Sequence, residues 1–372
     1  MHVGLVIAGD LEQTSGGYRY DRKLVEYLER QGDTVDVLSL PPRAKHNGGD
    51  ESVDLDESIR SQLNQPYDVL IEDELCYPTL LKYNPDLDAP DRIVSLVHLL
   101  ESAGPSVTDP QRHIRERRYL ESVDAAICTS EFTRDRTTDC TALPTAVVPP
   151  AGRHETAAVS AATVNGRARA TPLHLVFVGN VIPRKNLETV VSALETLSQD
   201  TEWELTVVGS TDAAPEYVAE QRNRVERAGL TTRVTFAGHV TDERLESILE
   251  RAHVLAVPSR YEGFGMVYLE AMEYGVIPIA SAVGGASELV TDGENGSLID
   301  PDNVERLAKT IEVLERDRDQ LAALGQQARA TAVSQPTWDE QLATFRAVLN
   351  AWHSTEESQL ASATPTNTRG GH

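Results

Sequence analysis

Lysine is scarce in this chain: of 372 residues only Lys23, Lys45, Lys82, Lys185 and Lys309 carry an ammonium group. Cysteine is scarcer still. Cys76, Cys128 and Cys140 are an odd number with no CxxC spacing, which excludes a disulfide framework and a thiolate metal site. No run of about 18 apolar residues occurs, so no membrane-spanning helix is expected. The start, MHVGLVIAGD, lacks the charged opening and long apolar stretch of a secretory leader, and the expected location is the cytoplasm. Positive charge is also short. Lys plus Arg is 34 against 58 for Asp plus Glu, a net charge of −24, far beyond the magnitude of about 2 to 8 usual for a small soluble domain. Nucleic acid is therefore not expected as a partner. An acidic, lysine-poor surface instead predicts a halophilic source, where concentrated salt screens self-repulsion.

What is present is ordinary globular material, 40% hydrophobic and 25% charged, in a chain long enough for two domains. Short apolar runs alternate with segments of helical period, which predicts an α/β fold: two Rossmann-like, doubly wound sheets facing a central cleft. The first series fills residues 1–150, with strands HVGLVIA, TVDVLSL, YDVLIED, RIVSLVH, DAAICTS and TAVVP, and loop composition in RAKHNGGDESVD. Residues 151–171, rich in Ala, Thr and Gly, read as a linker. The second series fills 172–336, with strands LHLVFVGN, WELTVVGS, RVTFAGHV, HVLAVPS and GVIPIAS. A last helix spans 337–352, opened by Thr337 and Glu340 at capping-box spacing and packing back toward the first domain. Residues 353–372 have the composition of a disordered tail.

Open sheets of this kind bind ligands at the carboxyl ends of their strands. The most informative stretch there is RYEGFGMVYLEAMEYGVIPIASAVGGASELV, residues 260–290. Glu262 lies in the loop after HVLAVPS. Gly263, Phe264 and Gly265 form a turn that lets backbone approach a ligand, and a helix beginning near Met266 offers its N–H groups to an anion. Glu270 follows by eight positions, so the two carboxylates can flank one bound molecule and accept hydrogen bonds from sugar hydroxyls. Taken alone, such a pair reads as one loop carboxylate and one solvated helix carboxylate.

With VGNVIPRKNLETVVSAL before it and GGASELV after it, the block resembles the nucleotide-sugar site of the retaining glycosyltransferase family 4, of GT-B architecture. The resemblance runs from residue 3 to about 350. GGYRYDRKLVEYLERQGDTVDVL and AAICTSEFTRD carry it through the first domain, less specifically than the second-domain block. It implies a hexosyltransferase that moves a sugar from a nucleoside diphosphate to an acceptor with retained configuration, and needs no metal or other cofactor. It also implies catalytic roles for Glu262, His98 and Lys185. Glu262 would meet the sugar hydroxyls, His98 the sugar's reacting face and Lys185 the leaving diphosphate. Glu270 would hold the ribose, and Gly263, Phe264, Gly265 and Met266 would offer backbone N–H groups. Gly16 and Gly17 would pass near the diphosphate, and Gly238 with His239 would border the nucleobase. The family often has Arg where this chain has Asn180, and Arg184 is the expected substitute.

One feature stands outside the donor site. QRHIRERRYLES places Arg112, Arg115 and Arg118 on a helix in an otherwise acidic chain. It reads either as a solvated face balanced by Glu101, Glu116 and Glu121, or as a patch for an anionic, lipid-linked acceptor at the inner membrane face. Three other functions compete. An NAD-dependent oxidoreductase would need a GxGxxG turn, and AGDLEQTSGGY has none. A nucleotide-sugar epimerase of the same architecture and a non-catalytic nucleotide-sugar-binding protein remain as alternatives.

Overall fold

The computed structural model describes residues 1–41, 52–104, 110–154 and 158–353. The expected 43–54 loop falls largely outside the described residues, and so does the expected 353–372 tail apart from His353, which ends a helix.

The first domain runs β1 (His2–Ala8), α1 (Gly16–Arg30), β2 (Thr34–Leu40), α2 (Glu57–Leu63), β3 (Val69–Asp73), α3 (Tyr77–Tyr83), β4 (Ile93–Val97), α4 (Pro110–Leu120), β5 (Ala125–Cys128), α5 (Glu131–Cys140) and β6 (Thr145–Val147). Its six parallel strands are ordered β2-β1-β3-β4-β5-β6. β3, β4 and β5 are buried on both faces, which is why they read as nearly continuous apolar runs. Helix α1 sets Leu24 and Leu28 inward at the spacing expected from sequence.

The second domain runs α6 (Ala161–Ala168), β7 (Leu173–Val178), α7 (Leu187–Thr196), β8 (Trp203–Val208), α8 (Pro215–Arg227), β9 (Val234–Gly238), α9 (Asp242–Leu249), β10 (Val254–Val257), α10 (Met266–Glu273), β11 (Ile277–Ser281), β12 (Ser297–Ile299), α11 (Val304–Arg316) and α12 (Arg318–Ser334). Its sheet is ordered β12-β11-β10-β7-β8-β9, all parallel. The architecture is GT-B: two Rossmann-like domains facing each other. Two details depart from the sequence reading. β12 is an additional short edge strand, and the stretch read as linker contains α6, whose Val164 and Ala168 are buried against the second domain. Alanine and a single valine suffice there because Val164 packs on Gly275 and Gly325, where no side chain stands in the way.

The chain then returns. α13 (Trp338–His353) begins at the expected box, with Thr337 N–H donating to Glu340 at 2.8 Å and Glu340 N–H to Thr337 Oγ1 at 3.3 Å. Leu342, Phe345 and Leu349 of this helix are buried in the first domain's core beside Tyr20, Leu24 and Leu28.

In both sheets the strand order reverses beside the first strand of the domain, between β1 and β3 and between β7 and β10. Such reversals open a crevice at the carboxyl ends of the strands. The two crevices face each other across one cleft.

Candidate functional site

A cavity of about 390 Å³ lies between the domains, lined from the first by Gly16, Gly17 and His98 and from the second by Lys185, Glu262 and Glu270, among others. That volume is within the range of small-molecule sites. Every strand that borders either reversal, β1, β3, β7 and β10, sends its following loop into it.

On the second-domain wall, Lys185 ends a short turn after β7 and Glu262 sits in the loop after β10. Lys185 Nζ donates to Glu262 Oε1 at 2.5 Å, and Ser259 Oγ donates to the same oxygen at 2.7 Å. Arg184 Nη1 lies 3.3 Å from Glu262 Oε2 and donates to the Tyr261 carbonyl at 2.8 Å. Burial alone would raise Glu262, but Lys185 and Arg184 outweigh it and hold the carboxyl at about 2. Burial lowers Lys185 from its ordinary value. The two groups stand at ion-pair distance.

Gly265 takes φ 88° at the N-cap of α10, a left-handed conformation that glycine adopts without penalty. No side chain caps this helix, and Gly265, Met266 and Val267 line the cavity with its first N–H groups. The GGASELV turn supports the loop from behind, where Gly285 N–H donates to the Glu262 carbonyl at 3.0 Å.

Glu270 stands on the same wall, and its partners were not read from the sequence. Arg19 Nη1 of α1 donates to Glu270 Oε1 at 2.8 Å, and Arg153 Nε lies 3.1 Å from the same oxygen. Arg153 also donates to Asp242 at 2.8 Å. Positive charge thus reaches the donor side from the first domain and from the crossing segment, on residues whose local sequence gives no sign of it. Asn180 lines the cavity without charge, and Arg184 stands beside Lys185 as expected. Gly238 turns at φ 69° at the end of β9, and it is His239 and Val240 that line the cavity there.

On the first-domain wall, Gly16 and Gly17 open α1. A Cβ on Gly16 would meet Met266 Sδ at 3.2 Å, so the two walls approach closely here. His98 follows β4. A Cβ on Gly263 would stand 2.0 Å from the His98 carbonyl oxygen, so any side chain at 263 would force the walls apart. Ser130 Oγ donates across the cleft to the Gly263 carbonyl at 2.7 Å, and Glu288 accepts from the N–H groups of Glu131 and Phe132 at 3.0 and 2.8 Å. The Glu288 carboxylate therefore caps the positive end of α5 from the other domain.

Residues 164–331, which hold Lys185, Glu262 and Glu270, match the family model described as glycosyl transferases group 1. That match lies in the second domain, from α6 into α12. Over 173 residues it is 32% identical to a GDP-mannose-dependent alpha-(1-6)-phosphatidylinositol monomannoside mannosyltransferase of Mycobacterium tuberculosis, covering 44% of each chain. Over 211 residues it is 32% identical to a D-inositol 3-phosphate glycosyltransferase of Corynebacterium diphtheriae, covering 54% of this chain and 49% of that one. The chain thus spans about half the length of the curated relatives it matches. Among solved structures, a sucrose-phosphate synthase from Thermosynechococcus elongatus superposes with TM-score 0.77 at 23% identity, over 95% of this chain and 99% of that one. Anabaena HepE in complex with UDP and glucose superposes with TM-score 0.75 at 18% identity, over 94% and 100%. These two likenesses establish the fold.

Outside the group 1 domain, Asp21, Asp73 and His98 bring one ligand-type atom each within 4.8 Å of one another, the composition a metal ion would accept. Two of those atoms already serve each other, His98 Nε2 lying 3.2 Å from Asp21 Oδ1. The basic helix α4 is partly neutralised by carboxylates that the sequence offered. Arg112 lies 3.6 Å from Glu101, Arg117 Nε donates to Glu121 at 2.9 Å, and Arg112 and Arg115 are half-buried. Arg118 is exposed, and next to it on the helix Ile114 is 46% exposed. Among the described residues, no helix is long and apolar enough to cross a membrane.

Proposed function

We propose that the protein transfers a hexose from a nucleoside diphosphate sugar to an acceptor with retention of configuration. The observation that carries this reading is the meeting of Lys185, Glu262, Glu270 and the uncapped start of α10 in one interdomain cavity. The ribose would bind Glu270, the diphosphate would lie between Lys185 and the first N–H groups of α10, and the sugar would reach Glu262. Departure of the diphosphate builds negative charge where an ammonium group and helix N–H groups are already fixed, an arrangement that stabilises the transition state more than the ground state. Holding donor and acceptor in one cleft supplies the rest through orientation. The relative named as GDP-mannose-dependent supports a nucleotide-sugar donor. The test is incubation of the purified protein in high salt with a panel of nucleotide sugars and a cell lipid extract. Sugar transfer with retained configuration supports the reading. An epimerised nucleotide sugar formed without acceptor, or no nucleotide binding at all, overturns it.

Lys185 and α10 can stabilise the diphosphate by themselves, so transfer should persist in EDTA. Loss of activity in EDTA with rescue by Mg²⁺ or Mn²⁺ would contradict this role.

The acceptor side is read from α4. An exposed Ile114 beside Arg118 suits an anionic lipid surface, where each arginine contributes on the order of 1 kcal/mol, less in concentrated salt. Reversing Arg115 and Arg118 to Glu should slow transfer to lipid severalfold and leave nucleotide affinity unchanged. Transfer to the natural acceptor at the wild-type rate would make α4 a solvated face.

A further inference from the structure

His98 is held at nearly every polar atom. Its N–H donates to Glu74 at 2.8 Å, its carbonyl accepts from Thr129 Oγ1 at 3.3 Å, and its ring Nε2 meets Asp21 Oδ1 at 3.2 Å. The ring itself is wedged. A Cβ on Gly17 would stand 3.3 Å from His98 Cδ2, and the Tyr20 ring meets it edge-on with centroids 5.5 Å apart. Among the described residues, nothing hydrogen bonds to Nδ1, and the residue lines the cavity.

Beneath the ring lies more negative charge than a structural histidine needs. Asp21 and Asp73 are 0% and 1% exposed, and the Oδ2 atom of each accepts no hydrogen bond among the described residues. Unsatisfied buried carboxylate oxygens cost stability. Asp73 Oδ1 accepts from the Leu75 N–H at 2.9 Å, a structural role, whereas the hydrogen-bond partner of Asp21 among the described residues is the His98 ring. The charged groups facing the ring are Asp21 from α1 and Asp73 and Glu74 from the end of β3. Burial opposes charge on the imidazole, yet these groups overcome it and raise His98 to about 9. Asp73 is pushed up by burial and by Asp21.

We propose that Asp21 is a positioning residue for the transfer reaction, pinning His98 at Nε2 so that Nδ1–H is the donor presented to the sugar between His98 and Glu262. The proposal rests on the glycosyl-transfer reading above. An aspartate acceptor at Nε2 fixes the ring orientation, and with both nitrogens protonated Nδ1 can donate. Asp73 adds negative potential near the ring. The sequence reading gave a role to His98 and none to either aspartate.

Asp21→Asn should lower kcat about a hundredfold, the scale on which small misplacement of a reacting group costs rate, with the donor KM little changed. The alkaline limb of the pH–rate profile should move to lower pH, because the ring loses the carboxylate that keeps it protonated. In the double variant Asp21→Asn/His98→Gln, kcat should equal that of His98→Gln alone, since Asp21 acts only through the ring. Additive losses, or an unmoved pH limb, would overturn the proposal. Nitrogen-15 chemical shifts of His98 in the ligand-free wild-type protein give a readout that needs neither a folded variant nor turnover. Both ring nitrogens should be protonated at pH 7, and a neutral ring would overturn the pairing. So would a stoichiometric metal ion in the purified protein that Asp21→Asn loses. Failure of the glycosyl-transfer reading shows separately, as absent nucleoside diphosphate binding in the wild type.

Discussion

Lys185→Ala should weaken nucleoside diphosphate binding about a hundredfold. A hydrogen bond to a charged group contributes about 1.5–3 kcal/mol, and each 1.4 kcal/mol is tenfold in affinity. The loss lies at the upper end because the lysine leaves behind Glu262, 6% exposed, whose negative charge would then face the incoming phosphates with Arg184 alone beside it. Calorimetric titration of nucleoside diphosphate into the two proteins measures it, and equal affinity would remove Lys185 from the site. The same substitution reshapes acid stability. In the wild type, Glu262 titrates at about 2 when folded against an ordinary 4.5. That depression contributes roughly 3 kcal/mol, fully present above 4.5 and lost as pH falls toward 2. Without Lys185, burial pushes the carboxyl up, so the variant should lose this contribution at neutral pH and melt at a lower temperature there.

Glu262→Gln should show the opposite division between binding and turnover. In the proposed reading the carboxylate would meet the sugar, and it also pairs with Lys185, so removing its charge frees the ammonium group for phosphate. Affinity for the bare nucleoside diphosphate should hold or tighten, while kcat falls about 10² to 10³-fold, the scale of losing one fixed transition-state contact. Parallel titration and steady-state kinetics with the best donor separate the two. A matched loss of nucleotide affinity would place Glu262 against the nucleotide instead of the sugar.

Much of the second-domain wall was legible because its chemistry is local. Lys185 follows a strand by a few residues, Glu262 and the glycine turn are contiguous, and the eight-residue spacing to Glu270 is set by one loop and one helix. The carboxylates' partners were not legible in the same way. Arg19 and Glu270 are 251 residues apart, and nothing in GGYRYDRK marks Arg19 as anything but a helix surface residue. Asp21 lies on the same helix, and it becomes buried only once β3, β4 and α1 have assembled. The 151–171 stretch failed for another reason. Apolar bulk is a fair guide to burial where helices meet large side chains, but α6 meets Gly275 and Gly325, where a lone Val164 is enough. The carboxylates that balance the basic helix were legible because they lie close by in sequence: Glu101 and Glu121 pair with Arg112 and Arg117.

The return of α13 to the first domain bears on how the protein is made. Leu342, Phe345 and Leu349, each 0–1% exposed, belong to a core whose other buried members are encoded in the first 150 residues. A ribosome that has completed β6 has therefore released a domain with an open apolar groove beside α1, and that groove stays uncovered while the entire second domain is synthesised. Early domains ordinarily fold as finished units during translation. Here the first domain can close only after the second has emerged, which makes the nascent chain's most vulnerable interval the long one between residues 150 and 349.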